Sequence, residues 1–388
     1  MRPRPAFLTV AGSLAAVALA ATSAVAAVPS DGPHAAPTAT RAVLATDTDG
    51  DSLPDSWETN GYDANGDGVV DVDLKAMGAD PKKKDLFVEM DYMSGRLAST
   101  AALDRIVQVF AQAPVSNPNG TTGIKIHLDA GSAAGAAYNL GGGNQVPYDA
   151  DLNPSASQTT AIKNANFKSV RKAVFHYMLW ADSYDGGCSS GQAFNIPNDT
   201  FIVTVGPKCS WNATDNTNVG TFVHELGHNL GLRHGGTDNV NYKPNYLSVM
   251  NYFFQLGGVP KADGTRYWSY SNVAPAALNE TSLKESVGLG ANASAYKTSW
   301  KCPNGTSRTT TGAASGPIDW NCDGDTVDTG AADINDDNAN TTLTTQNNWA
   351  SIVFGGGAVG QGATLQPKTA PTDLQEMTHS EWAKLQQH

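Results

Sequence analysis

The eleven-residue stretch HELGHNLGLRH places the strongest constraint on how this chain folds. Its first two histidines, His224 and His228, are four residues apart, so on a helix they project from one face and can bind one metal ion. Gly231 can adopt positive φ and end the helix, so that His234 approaches the same ion from another direction. Three neutral imidazoles leave a tetrahedral zinc ion one open position, which is typical of catalytic sites.

These residues resemble the extended zinc-binding motif of the metzincin clan of metallopeptidases. The stretch YLSVMNY, which ends at Tyr252, resembles the Met-turn that lies beneath the zinc ion in that clan, with Met250 as its methionine. The resemblance covers the motif helix, the Met-turn and, more loosely, residues 85–290. It is specific for the clan and leaves pappalysin-like and adamalysin-like members undistinguished.

The resemblance implies a secreted zinc-dependent endopeptidase with a protein or peptide as its substrate. Glu225 directly follows the first histidine, where it can act as general base toward a zinc-activated water. By resemblance to astacin-like and serralysin-like members, Tyr252 is expected to bind zinc at rest or to hydrogen-bond the tetrahedral intermediate.

Two other functions stay open at this stage. The chain could be a calcium-dependent extracellular binding or adhesion module whose zinc site is inactive. It could also be a zinc hydrolase of non-peptide amides, which would share the site and cleave small amides without proteolysis. Casein hydrolysis with and without a zinc chelator distinguishes these functions from a peptidase.

Strands and helices that alternate along the chain predict an α/β (α+β) fold with the motif helix packed on the sheet, and the resemblance to metzincins implies that this sheet is twisted and mixed. Strands are expected near residues 86–92, 124–128 and 201–205. One helix is expected around Leu103 and Phe110, and further helices at 167–181 and 276–289. The motif helix should begin at an N-cap on Thr217 or Asn218, and its apolar residues recur at three- and four-residue intervals, so that one face can be buried.

The beginning of the chain is typical of a secretory signal peptide. Arg2 and Arg4 form a basic start, residues 6–21 are apolar, and small residues end at Ala26. We therefore expect a secreted, extracellular protein, and no later segment is long and apolar enough to span a bilayer. The net charge of −12 argues against nucleic-acid and anionic-membrane partners. A monomer is expected.

Four cysteines fit an oxidising compartment and allow three pairings. Neighbour pairing closes the shortest loops and joins Cys188 to Cys209 and Cys302 to Cys322. A cysteine-ligated zinc site is disfavoured, because no two cysteines have C-x-x-C spacing.

Acidic residues cluster with Asn and Gly in two parts of the chain. In the first part, oxygen side chains occupy positions one, three, five, nine and twelve of an EF-hand-type calcium loop: Asp47, Asp49, Asp51, Asp55 and Glu58. Ser52 stands at the sixth position, where an EF-hand prefers glycine. A second unit repeats the spacing without an acidic twelfth residue: Asp63, Asn65, Asp67 and Asp71. Solvated turns are the alternative, since these residues also form turns.

The C-terminal part carries two similar loops, which resemble calcium loops of the thrombospondin type 3 or dockerin kind. Their oxygen side chains are Asp319, Asn321 and Asp323, then Asp333, Asn335 and Asp337. Structural calcium is therefore expected. The predicted organisation is a signal peptide (1–26), a disordered leader or short pro-segment (27–45), a calcium-loop segment (46–84), the catalytic domain (85–290) and a C-terminal segment (291–388).

Overall fold

The structure is a computed structural model that describes residues 45–361, 374 and 376–386. The predicted signal peptide, and the predicted leader up to residue 44, lie outside the described residues. Among the described residues, the α-helices in chain order are α1 Asp55–Asn60, α2 Leu74–Met77, α3 Thr100–Ala111, α4 Ser155–Asn166, α5 Asp215–Asn229 and α6 His379–Leu385. None of the described helices is long and apolar enough to cross a bilayer.

The main sheet has six strands: β1 Asp85–Met93, β2 Lys125–Asp129, β3 Gln145–Val146, β4 Phe175–Trp180, β5 Gly191–Ala193 and β6 Thr200–Val203. The strand order is β2-β1-β4-β6-β5, with β3 beside the end of β1. The strands pair in parallel except β5, which runs antiparallel to β6 at one edge. This mixed sheet with helices confirms the predicted α/β class.

Beyond α5 the chain forms two-stranded ribbons. Their strands are β7 Val259–Pro260, β8 Arg266–Tyr267, β9 Leu278–Asn279, β10 Leu283–Lys284, β11 Ser299–Lys301, β12 Ser307–Thr309, β13 Thr329–Gly330 and β14 Thr342–Leu343. Two ribbons are local, β7 with β8 and β11 with β12. The other two join β9 to β14 and β10 to β13, so they tie the region after the Met-turn to the acidic C-terminal loops.

Hydrophobic burial orients the helices on the sheet. Helices α3 and α5 share one core, in which Leu103 and Phe110 of α3 are buried with Phe222 and Leu226 of α5. Side chains of the calcium-loop segment are buried in the core that contains Phe87 of β1: Leu53, Val72 and Leu74. The first acidic loop is therefore anchored to the sheet by apolar side chains of its own segment.

The helix predicted over residues 167–181 is wrong. Six of these residues form β4, the strand between β1 and β6, and all six are buried. A short apolar run that is buried on both faces of a sheet lacks the alternation that marks a half-exposed strand, so helical spacing can be read into it. The helix lies upstream as α4, where only Ser155 and Thr159 are buried, so it has no apolar stripe.

The helix predicted over residues 276–289 is also wrong, because the segment forms β9, β10 and a 3₁₀ turn at Glu285–Val287. Side chains on this segment bind backbone amides of the C-terminal loops. Glu280 accepts hydrogen bonds of 2.9 Å from the amides of Ile334 and Thr341. Pairing with distant strands therefore replaces the local helix.

Helix α5 begins three or four residues earlier than the sequence indicates. Thr214 is the N-cap, and it exchanges hydrogen bonds with Thr217 in a capping box. Thr217 and Asn218 thus lie inside the helix, because the capping box is built on Thr214. At the other end, Gly231 has φ +89°, which matches its predicted role in ending the helix.

Candidate zinc centre

The structure brings the three motif histidines together around one point. The Nε2 atoms of His224 and His234 are 3.2 Å apart, and each lies 3.1 Å from Nε2 of His228. Tetrahedral zinc with Zn–N bonds of about 2.0–2.1 Å requires ligand atoms roughly 3.3 Å apart. All three residues are buried. The triangle of nitrogens therefore fits a zinc ion bound by three imidazoles.

Hydrogen bonds to the backbone set the tautomers of two of these histidines. Nδ1 of His224 donates to the Val249 carbonyl at 2.9 Å, and Nδ1 of His228 donates to the Leu232 carbonyl at 2.8 Å. With the proton on Nδ1, each Nε2 presents a lone pair to the centre. Burial lowers the pKa of His228 well below its usual range and also lowers the pKa of His234. Burial thus favours the neutral, metal-binding form of these two histidines.

The Met-turn packs against the helix that carries His224 and His228. Val249 accepts the hydrogen bond from His224, and Met250 beside it is fully buried. A Cβ atom on Gly227, between the two helical histidines, would lie only 2.4 Å from Met250 Sδ. The methionine therefore packs directly against the helical turn that carries His224 and His228.

Glu225 is fully buried beside the histidines. Neither of its oxygens accepts a hydrogen bond of good geometry from the described residues. Burial, followed by the negative charge of Glu376, raises the pKa of Glu225 well above its ordinary value. Gly191 of β5 lies against this carboxylate, since a Cβ atom there would be 2.7 Å from Oε1. The edge strand thus passes directly over the predicted general base.

Tyr252 reaches the same centre from the Met-turn. Its ring centroid is 4.7 Å from that of His234, and its hydroxyl donates to Oε2 of Glu376 at 3.2 Å. Burial raises the pKa of Tyr252 well above 10, with Glu376 and Glu225 adding to the effect. The phenol therefore stays protonated and can donate a hydrogen bond.

Glu376 is a member of the site that sequence reasoning missed. Its Oε2 atom lies 3.2 Å from Nε2 of His224 and 3.3 Å from Nε2 of His234, and its Oε1 atom lies 3.5 Å from Nε2 of His228. Spacing within the sequence offers no signal for it, because 152 positions separate it from His224. With the three histidines it forms a buried four-residue group of metal-binding type.

The first acidic loop forms a second buried cluster. The carboxylates of Asp47, Asp49 and Asp51 converge, and Asp51 also meets Glu58 and Asp85 at the start of β1. Both oxygens of Glu58 lack hydrogen-bond partners among the described residues, although its side chain is almost fully buried. Burial, then the neighbouring aspartates, raises the pKa of Glu58 to about 10 and that of Asp51 to about 8. A bound cation would remove the energetic cost of burying these carboxylates in their charged form.

The structure changes the predicted ligand set of this loop by one residue. The Asp55 carboxylate accepts hydrogen bonds from the amide and the hydroxyl of Thr48, at 2.7 and 2.6 Å, and lies outside the cluster. Asp85 takes part instead, and its own amide donates to Asp51 at 2.7 Å. Asp85 could not be found by loop spacing, because it comes from the strand on which the loop packs.

All four acidic loops share one turn. In each, the sixth residue has positive φ and donates its amide to the first aspartate: Ser52, Gly68, Gly324 and Asn338. Ser52 thus adopts the conformation that glycine has in an EF-hand.

A third cluster forms where Asp319 and Asp323 meet the buried Glu285, a residue that sequence spacing did not predict to take part. Within the described residues, the loops at Asp63 and Asp333 bring no three carboxylates together.

Two disulfides brace the region around the site. The structure joins Cys188 to Cys209 and Cys302 to Cys322, which is the neighbour pairing that the sequence predicts. The first bond anchors the segment that leads into β5. The second anchors the loop that carries Asp323.

Comparison with known proteins is consistent with this geometry. Residues 147–235 match the family described as Metallo-peptidase family M12B Reprolysin-like. The matched region contains the three histidines and Glu225 and covers less than half of the chain. No curated protein and no solved structure matches this chain. The match supports a zinc metallopeptidase of metzincin type and does not distinguish the pappalysin-like from the adamalysin-like subtype.

Proposed function

We propose that this protein is a secreted zinc-dependent endopeptidase that uses Glu225 as its general base. The observation that carries the proposal is the triangle of three Nε2 atoms, 3.1–3.2 Å on each side, next to a buried carboxylate. Secretion is supported by the two disulfides, which are typical of oxidising compartments, and by the signal-peptide pattern of residues 1–26.

The side chains around the triangle divide the work of hydrolysis. When bound to the three histidines, zinc would lower the pKa of a water molecule to about 7 and polarise the scissile carbonyl. Glu225 takes the proton from the attacking water and returns it to the leaving amine. The Tyr252 hydroxyl donates a hydrogen bond to the carbonyl oxygen as that oxygen gains negative charge. Hydrogen bonds from Nδ1 to the backbone keep two histidine rings oriented throughout.

An extended peptide suits this site better than a small amide. Strand β5 lies at the edge of the sheet and passes over Glu225, so a peptide backbone can add to this edge as a further strand. Such pairing recognises the main chain of the substrate and leaves sequence preference to side-chain pockets. We therefore assign protein or peptide substrates to the site.

The test is to incubate the purified protein and its Glu376→Ala variant with a denatured protein and to identify the products by mass spectrometry. Cleavage at internal peptide bonds that stops with a zinc chelator and returns with zinc supports an endopeptidase. Cleavage of small amides alone would favour the amide hydrolase. If neither protein hydrolyses anything while both bind zinc, the adhesion module is favoured.

We propose further that calcium stabilises the fold at two of the acidic clusters. The first site lies at two groups of three carboxylates that share Asp51, one with Asp47 and Asp49 and the other with Glu58 and Asp85. The unpartnered, buried carboxylate of Glu58 supports it, because such a charge is costly to bury without a cation. In the second site Glu285 is buried with Oε2 unpartnered among the described residues, beside Asp319 and Asp323. Residues 46–84 would thus act as a calcium-bound support for the catalytic domain. The oligomeric state is a separate question, and a monomer stays a prediction.

A further inference from the structure

The C-terminal segment 376–386, here called the tail, lies in the cleft of the candidate zinc centre. Its first residue, Glu376, has a buried carboxylate whose oxygens lie 3.2–3.5 Å from the Nε2 atoms of the three histidines. The two distances from Oε2, 3.2 Å to His224 and 3.3 Å to His234, are those expected between ligands of one tetrahedral zinc ion, while Oε1 lies 3.5 Å from His228. The carboxylate therefore lies on the side of the three nitrogens that a catalytic site leaves open for water.

The tail also pairs with the segment that leads into β5, as an added strand would. The amide of Ser190 donates to the Met377 carbonyl at 2.9 Å, and the amide of His379 donates to the Cys188 carbonyl at 3.0 Å. Between these bonds, Ser189 and Thr378 form an antiparallel bridge. The tail thus makes the main-chain contacts that an extended peptide would make at this edge.

Burial and capping hold the tail in this position. Met377 is fully buried in the core that contains α5, and the His379 ring lies 5.0 Å from the ring of Trp211. Thr378 then caps α6 by exchanging hydrogen bonds with Glu381. Trp382 of α6 packs partly buried against the same core. The Glu376 carboxylate is therefore held in place by a folded tail that makes its own contacts with the core.

We infer that the tail is a built-in, substrate-like inhibitor in which Glu376 is the fourth protein ligand of the zinc ion. The inference rests on the proposed peptidase function and adds its regulation. A ligand on the same chain acts at a high effective concentration, so an external peptide must displace the tail before it reaches Glu225. The enzyme is latent while the tail is bound and active once the tail leaves the cleft.

The primary test uses the full-length protein with cobalt in place of zinc, because the visible spectrum of cobalt reports its ligands without requiring activity. Three variants are compared with the wild type: Glu376→Ala removes the carboxylate, Glu376→Gln keeps its shape without its charge, and Lys384→Gln changes an exposed charge of α6 in the same tail. We expect both Glu376 variants to alter the cobalt spectrum and Lys384→Gln to leave it unchanged. Identical spectra for the wild type and Glu376→Ala would overturn the ligand assignment.

The second readout is kcat/KM for a short peptide substrate with the zinc-loaded proteins. Glu376→Ala should raise kcat/KM by roughly tenfold or more, as expected if the open form is about a tenth of the population or less in the wild type. Glu376→Gln should also raise it, and Lys384→Gln should not. A wild type that hydrolyses peptides as fast as Glu376→Ala would overturn latency and leave the proposed function standing. A changed spectrum with no hydrolysis by any variant would leave the ligand assignment standing and remove the peptidase function.

A synthetic peptide of residues 376–386 provides a check in which two peptides are compared on one protein. Added to the Glu376→Ala protein, it should inhibit hydrolysis, whereas the same peptide with alanine in place of its glutamate should inhibit much less. Equal inhibition by both peptides would contradict a role for the carboxylate at the metal.

Discussion

The Oε2 atom of Glu376 lies 3.2 Å from Nε2 of His224, the first histidine of the motif, although 152 positions separate the two residues. Their proximity joins the two parts of the chain that the sequence leaves unconnected, the motif helix and the C-terminal segment. A site that the motif describes as three histidines with an open position is thereby closed by a fourth residue. Peptide hydrolysis at this site requires that the carboxylate leave when substrate arrives.

Substitutions of Glu58 and of Asp55 should differ in their effect on calcium binding. Glu58→Gln removes the buried, unpartnered carboxylate and should lose one bound calcium ion, together with most of the thermal stabilisation that calcium gives. A ligand at 100 times its Kd stabilises the folded state by about 2.7 kcal/mol. Asp55→Asn changes a residue that binds Thr48 and should keep the calcium stoichiometry. Metal analysis and thermal unfolding with calcium or a chelator measure both.

The EF-hand spacing predicts a different result for Asp55→Asn, because it places Asp55 at the ninth ligand position. Loss of calcium from Asp55→Asn would therefore contradict the structure and favour the simple loop, in which Glu58 is also a ligand. Asp85→Asn offers a further check, since only the structure includes Asp85 among the ligands. It should weaken calcium binding as Glu58→Gln does.

Gly227→Ala should destabilise the protein even though alanine favours helices. The helix-propensity gain is about 1 kcal/mol. The new Cβ, however, would lie 2.4 Å from Met250 Sδ and 2.9 Å from Cε1 of Tyr270. Tyr270 cannot move freely, because it is buried and its hydroxyl donates to the Val223 carbonyl at 2.7 Å. Overpacking of this kind costs about 1–3 kcal/mol, so we expect a net loss of stability.

Urea unfolding of the Gly227→Ala protein measures this loss. The matched control is the double variant with Met250→Ala, which removes the closest clashing atom. Its destabilisation should be smaller than the sum of the two single changes, since the residues are in contact. Additive costs would show that Met250 does not press on the helix between the zinc-binding histidines.

Spacing in the sequence predicts those parts of the site that lie within one or two turns of chain. His224, His228 and His234 meet because a helix followed by a positive-φ glycine requires it, and the acidic loops form their shared turn for similarly local reasons. Glu376, Asp85 and Glu285 join their clusters through packing of distant segments, so no spacing rule points to them. The sequence does not predict strand β4 for a related reason. Distant parts of the fold bury both of its faces, so its residues do not alternate between apolar and polar.

His176 on β4 should make stability fall in mild acid. Burial lowers the pKa of His176 to about 4, although Asp199 opposes this effect and Lys163 adds to it. In the unfolded chain the pKa is about 6.5. Between these values the unfolded state binds a proton that the folded state does not, so stability is complete above pH 6.5 and is lost as the pH falls toward 4. The loss is at most about 3 kcal/mol.

The check is to measure the free energy of unfolding between pH 4 and pH 7 for the wild type and for His176→Gln, both in excess calcium. The glutamine cannot take up the proton, so the difference in stability between the two proteins should shrink as the pH falls. Curves that remain parallel over this range would show that His176 does not titrate as its burial requires.

General-base catalysis by Glu225 is tested by measuring zinc content and peptide hydrolysis together in Glu225→Gln, with the wild type and Glu376→Ala as its backgrounds. Because Glu225 does not bind the metal in this account, both proteins that carry Glu225→Gln should retain one zinc ion. Hydrolysis should fall by about 10²–10⁴-fold relative to each background, which is the usual contribution of a general base. Retained zinc with undiminished hydrolysis would contradict the account.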